Sequence, residues 1–119
     1  MQDLSTLKIQ NIADPWDNAG EKWNLIDGAT VSADRTLEAD VVIIGTGAGG
    51  GVSAEILSAA GLKVILVEAG RLTSSRDFNL NEGDAYRQLY QEGAMRATKD
   101  GAITILQGRT VGGTTVVNW

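Results

Sequence analysis

The chain has 119 residues, 43% of them apolar and 21% charged, with a net charge of −5. That length suits one small domain of ordinary globular composition, and the acidic balance argues against a nucleic-acid partner, which needs a basic face. The absence of cysteine and histidine removes disulfides, thiolate metal sites and the commonest general base.

Residues 1–37 read as an N-terminal extension with little periodicity. Asp14-Pro15 and Asp27-Gly28 carry turn chemistry, and Trp16, Trp23 and Leu25 are expected to anchor the extension against a body. The opening Met1-Gln2-Asp3-Leu4 is acidic where a secretory signal would be basic, and no apolar stretch follows. The aliphatic runs Val41–Ile44 and Val64–Val67 are far shorter than the ~20 residues that span a bilayer. The expectation is a cytoplasmic protein with no transmembrane segment.

The character changes at Asp40. Val41-Val42-Ile43-Ile44 is an unbroken β-branched run, suited to a parallel strand buried on both faces. A glycine-rich loop follows. Val52, Ile56, Leu57 and Ala60 then recur at helical spacing, giving a helix of about three turns that Gly61 would stop. Lys63–Glu68 is a second buried strand. The unit from Val41 to Glu68, 28 residues, has the size of one βαβ crossover. Arg71–Gly83 is polar and reads as a surface loop. Ala85–Tyr90 is a short helix candidate with Asp84 as N-cap. Lys99-Asp100-Gly101 is a hairpin-type turn, and Ile103–Leu106 a strand.

Gly45-x-Gly47-x-x-Gly50 lies between a strand and a helix, the context a dinucleotide fingerprint requires. Gly45 lets the chain turn off the strand, Gly47 lets backbone approach a pyrophosphate, and Gly50 lets helix and strands pack closely. Phosphates would then meet free N–H groups at the positive end of the helix dipole. Glu68 ends the second strand, where its carboxylate can accept from ribose hydroxyls and would repel a 2′-phosphate. The bland alternative is a tight strand-to-helix turn with a solvated Glu68.

A second small-residue loop, Gly112-Gly113-Thr114-Thr115, follows another β-like run. Its backbone and hydroxyls suit close contact with phosphate, and Arg109 is a nearby donor. Read alone, this loop is either a turn or a ligand loop. The full string Gly108-Arg109-x-Val111-Gly112-Gly113-Thr114-Thr115-x-Val117-Asn118 resembles the first signature of the glucose–methanol–choline (GMC) family of FAD-dependent oxidoreductases. Asp40–Gly70 resembles the same family's ADP-binding unit. Gly49-Gly50-Gly51-Val52 and Val117-Asn118-Trp119 look like the bacterial members and the long-chain alcohol oxidase branch.

The resemblance implies an α/β fold: a Rossmann-like βαβ ADP-binding unit within an FAD-binding domain over residues 38–119. It implies that Ala48 and Gly49 offer N–H groups to the FAD pyrophosphate and that Glu68 holds the adenosine ribose. Gly112, Gly113 and Thr114 would pack along the phosphates and ribityl chain, and Asn118 beside the isoalloxazine ring. Family members with covalent FAD carry histidine just before that Asn. Val117 stands there, which implies non-covalent FAD.

The family's enzymes pass a hydride from an alcohol carbon to flavin, with a histidine base drawn from a later part of a much longer chain. No catalytic residue of that kind is present here. The reading is therefore an N-terminal fragment whose partners are FAD, the remainder of the parent chain and, in the parent, a small-molecule alcohol. The alternatives are a truncated NAD-dependent Rossmann oxidoreductase and a non-catalytic binding piece.

Overall fold

The computed structural model describes residues 24–74 and 76–117. Trp16, Trp23, Asp14-Pro15, Asn118 and Trp119 lie outside them. The aliphatic run Val41–Ile44 forms strand β1, Ala48–Ala59 forms helix α1, and Val64–Val67 forms strand β2. The strands are parallel and in register from Val41↔Val64 to Ile44↔Val67. This is the β–α–β arrangement of a Rossmann-like α/β unit: a parallel pair needs a crossover, and a helix supplies it.

Local chemistry fixes each boundary. Asp40 ties the strand starts together: its N–H donates to Lys63 O at 2.9 Å, and its Oδ2 accepts from Lys63 N at 2.7 Å. At the other end Gly45 N donates to Val67 O at 2.8 Å. Helix α1 stops where expected, with Gly61 in the left-handed region (φ +88°) and its N–H bonded to Ser58 O. Ala54 is the buried residue of α1.

Beyond β2 the chain crosses the surface to helix α2, Glu82–Leu89. The expected cap, Asp84, is displaced by Asn81, whose side chain accepts from Asp84 N at 3.3 Å. Asp84 lies inside the helix instead, with its carboxylate accepting from Asn79 and Arg87. The helix therefore begins at Glu82, earlier than the apolar pattern alone placed it.

A small core follows. Leu89, Tyr90 and Val117 are buried, with Ala85, Tyr86 and Ala94 packed against them. The Tyr86 and Tyr90 rings lie 5.4 Å apart at 60°, and Tyr90 Oη donates to Val117 O at 3.0 Å. Lys99-Asp100-Gly101 does turn the chain, with Gly101 N on Thr98 O at 2.8 Å. Ile103–Leu106, however, is not a strand. Its ladder stops at one antiparallel bridge, Ala97↔Thr104, and Ile103 is 62% exposed, so no neighbour completes a sheet there. Asp27-Gly28 opens a short 3₁₀ turn, Gly28–Thr30, capped by Asp27. Leu25 is exposed rather than an anchor.

Candidate functional site

The turn from β1 into α1 sets the first wall. Gly45 takes φ +92° to leave the strand. A Cβ on Gly50 would sit 2.0 Å from Gly45 O, so only glycine lets the helix start this close to the strand. Gly47 occupies the N-cap with no side-chain cap, which leaves the first amides of α1 at the positive end of its dipole without a protein acceptor from that position. Beside Gly47 and Gly49 there is open space where side chains would otherwise project. Ala48 and Gly49 are exposed there.

Glu68 follows β2 and faces this turn. Its Oε2 accepts from both Thr46 N and Thr46 Oγ1, each at 2.8 Å, and its Oε1 accepts from Gly70 N at 3.0 Å. Partial burial pushes the carboxyl up, but the donors at Thr46, Gly70 and Ala69 outweigh it and hold the group below the usual carboxylate range. Glu68 is thus ionised near neutrality, and it binds its own loop before it meets any ligand.

The second motif closes onto the first. Gly112 N donates to Thr46 Oγ1 at 2.9 Å across 66 positions of sequence. Gly113 lies so near that a Cβ on it would stand 2.9 Å from Gly47 Cα, and its φ of +62° also calls for glycine. The hydroxyls of this motif serve its own turn: Thr114 Oγ1 accepts from Gly108 N, and Thr115 Oγ1 donates to Gly112 O. What this wall presents inward is therefore backbone.

The structure brings Gly45, Gly47, Ala48, Gly49, Gly50, Glu68, Gly112 and Gly113 to one place. Arg109 stands apart from the glycine turn. Its side chain is exposed and lines a cavity of about 370 Å³ with Ala69, Gly70, Arg71, Thr73, Arg87 and Gln88. That cavity lies at the trailing end of β2 and includes none of Gly45–Gly50.

Three residues that hold the site were not singled out from sequence. Thr46 occupies an unspecified position of the glycine motif. Thr110 is fully buried, donating to Arg71 O at 2.9 Å and paired with Thr73 Oγ1 at 2.7 Å. Gly70 passes so near the second motif that a Cβ would meet the Arg109 carbonyl at 2.3 Å. The available signals were a hydroxyl inside the first motif and a glycine two residues past Glu68.

Among the described residues, no helix is long and apolar enough to cross a membrane. No solved structure matches the chain. The family model described as GMC oxidoreductase matches residues 86–119. A long-chain-alcohol oxidase of Arabidopsis thaliana is 39% identical over 97 residues, which is 77% of this chain and 13% of that protein. A GMC-type oxidoreductase of Mycobacterium tuberculosis is 44% identical over 92 residues, 74% of this chain and 15% of that protein. One from Sinorhizobium fredii is 38% identical over 92 residues, covering 76% and 18%. The chain thus spans less than a fifth of the length of each of these relatives. Plant and bacterial proteins and the family model converge: this chain is similar to the N-terminal segment of the GMC oxidoreductases.

Proposed function

We propose that the two glycine motifs bind one FAD, as part of an oxidoreductase that acts on the CH–OH group of an alcohol. The observation that carries this reading is the meeting of the motifs. Gly113 lies against Gly47, and Gly112 is bonded to Thr46, beside a helix N-terminus that no side chain caps. An NAD site of the Rossmann kind needs the first motif and not the second. The relatives named as alcohol oxidases supply the substrate class.

In this reading Ala48 and Gly49 donate N–H groups to the pyrophosphate, Glu68 accepts from the adenosine ribose, and Gly112-Gly113 line the path toward the flavin. Thr114 and Thr115 shape that loop. Arg109 lines the neighbouring cavity past β2 and is assigned no contact with the pyrophosphate, and Asn118 is the residue expected beside the flavin ring. Val117 offers no nucleophile to a flavin, so the FAD is held non-covalently. Bound FAD supplies the hydride acceptor. The chain has no histidine, so the base for the alcohol proton comes from elsewhere in the parent. Residues 38–119 open the FAD domain, with residues 1–37 preceding it in sequence as an N-terminal extension.

The test is to purify the natural protein carrying this sequence without denaturation and to measure its mass and visible spectrum. Flavin absorbance, FAD released by acid, and bleaching under anaerobic addition of an alcohol are the expected results. A protein that copurifies with no flavin and takes up none on titration overturns the reading.

A further inference from the structure

Thr46 sits in a position that the glycine fingerprint leaves open, yet it bonds both to Glu68 past β2 and to the second motif. Its N–H and Oγ1–H both donate to Glu68 Oε2 at 2.8 Å. The same Oγ1 accepts from Gly112 N at 2.9 Å. A hydroxyl can donate once and accept twice, so this one group completes a relay from Gly112 through Thr46 to Glu68. Gly70 N then continues it from Glu68 Oε1. The two motifs and the end of β2 are thereby joined through one side chain.

We propose that Thr46 is the positioning residue of the dinucleotide site, holding the second glycine motif against the first and occupying Glu68 Oε2, so that any further acceptor capacity lies on Oε1 beside Gly70 N. The inference rests on the FAD reading above. Glu68 Oε2 already accepts two hydrogen bonds, so a ribose hydroxyl must be accepted on Oε1, the oxygen shared with Gly70 N. A carboxylate held in this way offers a single, fixed acceptor rather than a fork. Valine matches threonine in shape but has no hydroxyl, and the amide of Gly112 would lose its acceptor. Serine keeps the hydroxyl.

The experiment uses the full natural protein, stripped of flavin and titrated with FAD while flavin fluorescence is followed. Thr46→Val is expected to raise the FAD Kd about tenfold, the equivalent of one to two hydrogen bonds, while Thr46→Ser stays within about twofold of wild type. Glu68→Gln is expected to add less to Thr46→Val than to the wild type, because the pair acts as a unit. Wild-type protein that binds FAD while Thr46→Val binds it equally well overturns the role of Thr46 and leaves the FAD reading standing. Wild-type protein that binds no FAD overturns both. If Thr46→Val does not fold, hydrogen exchange of the Gly112 amide in the flavin-free wild type decides the matter. Slow exchange supports the relay, and exchange at the rate of an open loop overturns it.

Discussion

The junction of the two glycine motifs and the faces of the β1–β2 sheet are built on opposite principles. At the junction Thr110 is fully buried, and its hydroxyl is satisfied on both sides. On the sheet, Val42, Leu66 and Val67 are exposed and Ile44 is 88% exposed. The junction is a cradle of backbone, hydroxyls and one carboxylate rather than an apolar interior. Hydrogen bonds and glycine-sized approaches hold it, whereas parallel strands usually depend on apolar cover over both faces.

The contrast breaks first at Gly50. Gly50→Ala would force a methyl to 2.0 Å from Gly45 O and is expected to destabilise the fold by about 3 kcal/mol through overpacking, with FAD binding lost. Thermal melting and flavin titration read both effects. Ile44→Ala on the open face should change stability far less, and an equal loss at both positions would erase the distinction.

Gly113→Ala is next. It combines a positive φ with contact against Gly47, and left-handed backbone alone costs an L-residue roughly 1–2 kcal/mol. A tenfold or greater rise in FAD Kd with modest loss of melting temperature is expected, because the strain falls on the ligand wall. Thr110→Val should behave in the reverse way. It takes the partner from Thr73 Oγ1 and one of two donors from the Arg71 carbonyl, which keeps Val111 N, and costs about 1 kcal/mol of stability, seen as a lower denaturant midpoint.

Acid sharpens the comparison further. The folded-state pKa of Glu68 lies below its ordinary value of 4.5. Its ionised form therefore stabilises the junction above that pH, and the contribution fades as pH falls below 4.5 toward the depressed value. FAD affinity should weaken in that window, and Glu68→Gln should flatten the decline. The smallest effect is expected at the cap of α2: Asn81→Ala should cost about 1 kcal/mol in stability and leave FAD titration unchanged.

The elements that sequence showed clearly were those with a local cause. The aliphatic runs, the helical spacing after Gly50 and the stop at Gly61 each follow from a few adjacent residues. Ile103–Leu106 misled because a β-branched run needs a partner strand, and here only Ala97↔Thr104 pairs. The cap at Asn81 was missed because Asp84 and Asn81 are both good caps, and the carboxylate of Asp84 is taken by Asn79 and Arg87. At the site, the glycines announced themselves through their spacing. Thr46 and Thr110 did not, since their roles appear only when residues 66 and 39 positions away arrive.

Those separations bear on how the molecule is made. The bond between Thr46 and Gly112 closes a loop of 66 positions, and long-range closure carries an entropic cost that local turns avoid. Domains fold in step with synthesis from the N-terminus, so β1, α1 and β2 can pair while the second motif is still being translated. Until Gly112 leaves the ribosome, a nascent chain displays half a cradle and an unshielded Thr46. If the cradle takes FAD as proposed, its capture would be a late event in biogenesis, gated by the arrival of a distant glycine rather than by completion of the first crossover.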